Sequence, residues 1–287
     1  MKSILNINDT IGLISCSNSL NNDMEVKINN LIHILKAMNI SVVYSKVLYK
    51  NNNYVSYSAK TKAMELMKLY TDNNIKAIFD LSGGDLANEV LDYLDFDIIA
   101  KSNKPFFGYS DLTVILNSLF AKTNTINYNY QLRNLIREDS DNQIANFKNS
   151  ILEGNNDLFN FNYKWIQGSS MEGIIVGGNI RCFLKLAGTK YMPNFNNKIL
   201  FLEALSGDFN KISTFLTQYN QIGAFNNING ILLGTFTELE KDFSSPSVYD
   251  ILRNILDNPN IPIAKTNELG HGADSKCIPI GGHIYLN

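Results

Sequence analysis

Cysteine is scarce: Cys16, Cys182 and Cys277 are the three in 287 residues. They are odd in number and far apart, and none forms a C-x-x-C pair. Neither a zinc site nor a disulfide framework is indicated, and a reducing compartment is the expectation. Charge is also modest, at 18% of residues and a formal net of −2. That leaves no basic footprint for nucleic acid or an acidic membrane surface. No apolar run approaches the length of a membrane span. The opening M-K-S-I-L-N-I-N-D-T is interrupted by Asn6, Asn8 and Asp9, so it lacks the apolar core of an export signal. Together these absences point to a soluble cytoplasmic protein. No G-x-G-x-x-G loop or P-loop occurs, and no nucleotide cofactor or metal is expected.

What is present is ordinary globular composition, with 45% hydrophobic residues in a chain long enough for two domains. The many asparagines, Asn51 to Asn53 among them, read as solvated loops. Short apolar runs at 10–15, 41–48 and 75–81 alternate with helical spacing at 24–38 and 59–69. This pattern argues for a parallel sheet with helices on both faces. Ligands of such sheets bind beyond the carboxyl ends of the strands.

The chain is organised around residues 104–113, K-P-F-F-G-Y-S-D-L-T. A short buried strand, a sharp turn at Gly108 and Tyr109, and a helix from Asp111 place Ser110 at a strand-to-helix apex. That is a nucleophile-elbow arrangement, although Leu112 stands where the second glycine of G-x-S-x-G would be. Ser110 can equally be a helix cap, with Asp111 suited to the first turn. Gly83 and Gly84, after the strand at 75–81, either admit a ligand to the backbone or simply supply a tight loop.

A polar stretch at 153–170 marks the domain boundary, giving an N-terminal domain 1–155, a linker 156–172 and a C-terminal domain 173–287. Trp165, the only tryptophan, is either a cover for the core or an aromatic wall for a substrate. The second half repeats strand and helix, with strands at 173–176, 199–202, 231–235 and 261–265. It ends in two strands, 277–279 and 283–286, expected to turn on each other at Gly281-Gly282. Glu203 directly follows the strand I-L-F-L, where it is a loop carboxylate or the partner of another group. His271 sits between two glycines, as a turn residue or as a base held by a second group. His33, off the apolar face of its helix, reads as a surface or boundary residue, and His283 in the last strand as structural. The order Ser110, Glu203, His271 is that of a nucleophile, an acid and a base. Spacing alone does not bring them together.

Five blocks in this order resemble the serine LD-carboxypeptidase family, which includes the microcin C self-immunity peptidases. They are 78–95 (I-F-D-L-S-G-G-D-L-A-N-E-V-L-D-Y-L-D), 104–113, 177–189 (G-G-N-I-R-C-F-L-K-L-A-G-T), 199–203 (I-L-F-L-E) and 270–281 (G-H-G-A-D-S-K-C-I-P-I-G). The resemblance implies a Rossmann-like N-terminal domain carrying the nucleophile and a smaller β-rich C-terminal domain carrying the acid and the histidine. It implies Ser110 as nucleophile, His271 as general base and Glu203 as its orienter. The N–H groups of Gly84 and Asp111 would form the oxyanion hole, and Gly83, Asp85 and Trp165 would lie against substrate. Family members are metal-independent and commonly homodimeric. Cytoplasmic members release D-alanine from murein tetrapeptide, and the immunity branch cleaves an amide between an aminoacyl group and a nucleotide-like moiety. The partner implied is thus a small peptide or a peptide-nucleotide.

The chain also departs from the family. Residues 126–132 read I-N-Y-N-Y-Q-L, without the usual Gly-Pro pair. A-L-S-G-D follows the acid, with Asp208 further on than the acidic residue usual there. Lys60 or Lys62 replaces an expected arginine. S-G-G-D-L-A-N leans towards the immunity branch, while the altered 126–132 segment keeps open a catalytically silent binding paralogue.

Overall fold

The structure, a computed structural model, describes residues 2–51, 55–242, 244–256 and 258–287; Asn52 and Asn53 of the asparagine run lie outside them. The first half runs β1 (Thr10–Ile14), α1 (Glu25–Ala37), β2 (Ser41–Tyr44), α2 (Ala59–Thr71) and β3 (Ile75–Asp80). A 3₁₀ helix (Ala87–Tyr93), α3 (Phe96–Ser102), β4 (Phe106–Gly108) and a 3₁₀ turn (Ser110–Leu112) lead into α4 (Thr113–Thr123). Then come β5 (Asn127–Asn129), a 3₁₀ helix (Leu132–Ile136) and α5 (Ser140–Phe147), which runs on into a π turn (Lys148–Leu152). The second half runs β6 (Lys164–Gln167), β7 (Met171–Asn179), α6 (Ile180–Leu184), β8 (Lys198–Ala204), α7 (Phe209–Gln221) and β9 (Gly230–Phe236). It closes with α8 (Val248–Ile255), β10 (Ile263–Lys265), β11 (Ile278–Ile280) and β12 (His283–Leu286). Among the described residues no helix is long and apolar enough to cross a membrane.

The strands form two six-stranded sheets, ordered β11-β5-β4-β3-β1-β2 and β12-β7-β8-β9-β10-β6. In the first, β1 to β5 are mutually parallel and β11 is antiparallel at one edge. In the second, β7 to β10 are parallel, flanked by antiparallel β12 and β6. This is the mixed α/β architecture expected. The near-continuous apolar run of β8 is explained by burial on both faces.

Three details differ from the sequence reading. The run at 41–48 leaves the sheet after Tyr44, yet Val47 and Leu48 are fully buried; the apolar residues mark burial in a loop, not continued strand. The segment expected as a linker contributes β6 and the start of β7. The last two strands do not form a hairpin: β11 pairs with β5 and β12 with β7, so the chain crosses between sheets at Gly281-Gly282. Gly281 makes that crossing at φ +83°, and a Cβ there would lie 2.4 Å from Phe120 Cδ2. A side chain is excluded by both backbone and neighbour.

Helix α4 lies where the domains meet. Every residue from Thr113 to Phe120 is buried, as expected of a helix enclosed on all sides. Leu112, Ile115, Leu116 and Leu119 share one apolar cluster with Ile175, Val176, Ile199 and Leu200 of the second sheet. The polar Asn117 is satisfied within this core. Its Nδ2 donates to Gly177 O (2.8 Å) and Thr113 O (2.7 Å), and its Oδ1 accepts from Gly177 N (2.8 Å).

Candidate active site

Ser110 follows the carboxyl end of β4. Tyr109 is extended, and Ser110 then adopts φ +58° before the chain enters the 3₁₀ turn and α4. A left-handed serine is uncommon and is held here by its surroundings. Leu112, where the elbow motif has its second glycine, is fully buried under the turn.

Glu203 lies in β8 beside Asn179 of β7, and its side chain is wholly buried. Asn179 caps α6: its Oδ1 accepts from Cys182 N (3.2 Å) while its Nδ2 donates to Glu203 Oε1 (3.0 Å). The side-chain amide accepts for the cap through its oxygen and donates to the carboxylate through its nitrogen. His271 reaches the same point from the loop after β10. Its Nδ1 is 2.6 Å from Glu203 Oε2 and its Nε2 is 3.3 Å from Ser110 Oγ. The carboxylate can only accept, so Nδ1 carries the proton, leaving the Nε2 lone pair to accept from the Ser110 hydroxyl. The Tyr109 ring packs against the imidazole at 4.5 Å between centroids. Burial, and secondly the Glu203 charge, push the Tyr109 phenol well above its usual range.

Ser110 and His271 border a cleft of about 570 Å³, whose walls include Gly83, Gly84, Gln131, Arg133 and Arg137, while Glu203 lies buried behind the imidazole. Arg137 Nη1 donates to His271 O (3.2 Å) and lies 3.5 Å from Gly272 O, tying down the histidine loop. Gly84 has φ +125°, and a Cβ there would lie 2.3 Å from Asn18 Cγ. Among the described residues its N–H donates to no protein group. Asp111 is buried, with Oδ1 accepting from Lys185 Nζ (2.5 Å) and Oδ2 from Ser17 Oγ (2.6 Å) and Ala87 N (2.9 Å). Lys185 also donates to Asp85 O (2.8 Å), so one cation from the second domain braces both loops that carry the oxyanion-hole candidates.

Two expected substrate contacts lie elsewhere. The Asp85 carboxylate pairs with Arg181 Nη1 (2.6 Å) and is not part of the cleft wall. Trp165 lies in β6, packs on the core and meets Tyr163 edge-on at 5.9 Å. It is a core cover, not an aromatic wall of the cleft. Asn179, Arg133, Arg137 and Lys185 had no individual signal in the sequence beyond the G-G-N turn, whose asparagine position fits a helix cap. Among the described residues no group of His, Cys, Asp and Glu is placed to hold a metal ion.

A hydroxyl, an imidazole and a buried carboxylate in this order at strand ends are the constellation of serine hydrolases. The chain belongs to the LD-carboxypeptidase family: the model of the N-terminal domain matches residues 11–130 and that of the C-terminal domain residues 172–286. A putative carboxypeptidase of Treponema pallidum is 28% identical, over 100% of this chain and 92% of its own. The microcin C7 self-immunity protein of Escherichia coli is 25% identical, over 99% of this chain and 92% of its own. Among solved structures, an MccF-like protein from Bacillus anthracis superposes with a TM-score of 0.85 at 26% identity, over 99% of this chain and 94% of that one.

Proposed function

We propose that this protein is a serine-type LD-carboxypeptidase that releases the terminal D-alanine of a murein tetrapeptide through an acyl-enzyme. The observation that carries the reading is the hydrogen-bonded series Ser110 Oγ, His271 Nε2 (3.3 Å), His271 Nδ1, Glu203 Oε2 (2.6 Å), open to a cleft. Ser110 Oγ attacks the amide carbonyl carbon as its proton passes to His271 Nε2. Glu203 holds the tautomer and stabilises the imidazolium. The carbonyl oxygen, now an oxyanion, faces the N–H groups of Gly84 and Asp111, each worth a few kcal/mol in such a role. His271 then protonates the leaving amine as the C–N bond breaks, and D-alanine departs. Water attacks the ester, gives its proton to His271, and Ser110 recovers it as the acyl group leaves. A cytoplasmic setting and a homodimer belong to the same proposal.

The immunity-type reading, hydrolysis of an aminoacyl-nucleotide amide, is favoured by the S-G-G-D-L-A-N block. Against it stands the placement of Trp165, since among the described residues the cleft wall offers no aromatic besides Tyr109 and the His271 ring. Hydrolysis of murein tetrapeptide beside an aminoacyl-sulfamoyl adenosine, by wild type and Ser110→Ala, separates the two. D-alanine release that is lost in the variant is expected. Cleavage of the adenosine compound alone would move the protein to the immunity branch, and turnover of neither by folded protein would count against both.

A further inference from the structure

Arg133 stands in the 3₁₀ helix after β5, its N–H accepted by Gln131 Oε1 (3.2 Å). Its side chain is unlike that of Arg137 or Arg181. Arg137 is spent on the carbonyls of the histidine loop, and Arg181 on Asp85. Among the described residues Arg133 has no ion-pair partner, and its Nε is buried with no hydrogen-bond acceptor. Leaving the buried Nε–H of a charged guanidinium without an acceptor is costly in a folded chain. Burial, then repulsion from Arg137, lowers its pKa against a smaller attraction from buried Asp80, yet an arginine stays charged.

Its position gives the missing partner a location. Arg133 borders the cleft that holds Ser110 and also an adjoining groove of about 800 Å³, the two sharing Met24, Gly83 and Gly84. Among the described residues the groove wall carries Lys50 and no carboxylate, and it includes Ser19, whose Oγ is buried and unpartnered. Among the described residues lining the cleft the one carboxylate is Glu138, exposed and 3.6 Å from Arg137 Nε, and the cations Lys27, Arg133 and Arg137 line the same cleft. The field at the junction favours an anion. Arg133 also lies immediately after the segment 126–132, where the sequence leaves the family pattern.

We infer that Arg133 is a specificity-determining residue that binds a carboxylate of the substrate where cleft and groove join. The inference rests on the peptidase reading for the identity of that substrate. A stem peptide offers the carboxylate from two sources: the terminus of the leaving D-residue, or a carboxylate within the stem. A planar guanidinium whose side-chain donors make no hydrogen bond among the described residues suits either by a paired hydrogen bond.

Binding to Ser110→Ala protein tests this without requiring turnover. The probes are a free-acid tetrapeptide with lysine at its third position, its C-terminal amide, and a free-acid analogue with the internal γ-glutamate carboxylate amidated. Each is titrated calorimetrically with Arg133 intact, as Arg133→Gln and as Arg133→Lys. Arg133→Gln should weaken the free acid by roughly 10- to 100-fold, the usual effect of losing a charge-assisted contact, and Arg133→Lys should restore part of it. If amidating the terminus abolishes that difference, the terminal carboxylate is the ligand; if amidating the internal group does so, the stem carboxylate is. Equal losses on all three probes, no loss on any, or no binding of the free acid with Arg133 intact would each overturn the assignment. Kinetics of the Ser110-intact protein are read separately. Wild-type turnover bears on the peptidase reading, and the Arg133 ratios bear on this one.

Discussion

Lys185→Met tests whether the second domain braces the oxyanion side of the site. Asp111 is fully buried, and Lys185 supplies the one charged donor among its three hydrogen bonds, at 2.5 Å. Without the ammonium, the carboxylate keeps Ser17 Oγ–H and Ala87 N–H and only the unbonded charges of Lys62 and Arg181 as counter-charge. Breaking a fully buried pair costs about 3–5 kcal/mol. The Lys185 side chain is 18% exposed, so partial screening reduces the expectation to about 2–4 kcal/mol. Asp111→Asn removes the stranded charge, so in the Lys185→Met background it should cost less than in wild type, with a coupling of about 2 kcal/mol. Urea unfolding followed by both Trp165 fluorescence and far-UV circular dichroism is the measurement, because two probes reveal any separate unfolding of the halves. Lys185 also holds Asp85 O, and the Asp111 N–H is an oxyanion donor in the proposed mechanism. The variant should therefore lower kcat more than it raises KM. A stability loss under about 0.5 kcal/mol, the range of exposed ion pairs, with unchanged kcat would refute the reasoning.

Glu203→Gln should lower kcat by about 10³- to 10⁴-fold, as an amide facing both Asn179 Nδ2 and His271 Nδ1 must oppose donor to donor or flip the imidazole tautomer. Asn179→Asp keeps the cap acceptor but sets a second carboxyl group against Glu203; steady-state kinetics should show kcat reduced at neutral pH with the fold retained. Gly84→Ala should fail through strain at φ +125° and the 2.3 Å approach to Asn18, seen as loss of activity and a melting temperature lower by several degrees. Burial raises all three thiols, Cys182 to about 12. Iodoacetamide at neutral pH should therefore label native protein far more slowly than urea-unfolded protein, as read by mass spectrometry.

The parallel strands were legible because alternation of apolar runs with helical spacing is a local signal. Ser110 and Glu203 were legible as positions just after predicted strands, and His271 as a loop residue between two glycines beyond another, but their meeting was not. It depends on α4 seating against the second sheet, and on the pairing of Asn179 with Glu203. The failures share one cause. Val47 and Leu48 are buried outside any strand, β11 and β12 part company to different sheets, and Asp85 turns to Arg181. Each outcome is decided by residues far away in the chain. Asn179 was visible as a turn residue, but nothing local announces that its second amide group holds the acid. Arg133 was invisible for a different reason: what distinguishes it is the lack of a partner in the folded chain.

A silent binding paralogue would need Ser110 held away from His271, and the connection between the domains argues against that. Helix α4 begins directly after Ser110. Asn117 of that helix exchanges two hydrogen bonds with Gly177, both at 2.8 Å, and Thr113 Oγ1 accepts from Asn179 N at 3.0 Å. Gly177 and Asn179 belong to β7, which pairs in parallel with β8, and Asn179 Nδ2 holds Glu203. β11 then returns the chain to the first sheet beyond the His271 loop. Parting the serine from the histidine by hinge motion would break the buried Asn117 pair, the Thr113 contact and the β11 ladder together, leaving polar groups unsatisfied in an apolar core. Ser110, His271 and Glu203 are thus held together by the fold itself, and in the proposed mechanism substrate selection is left to the open cleft and to the charges along its walls.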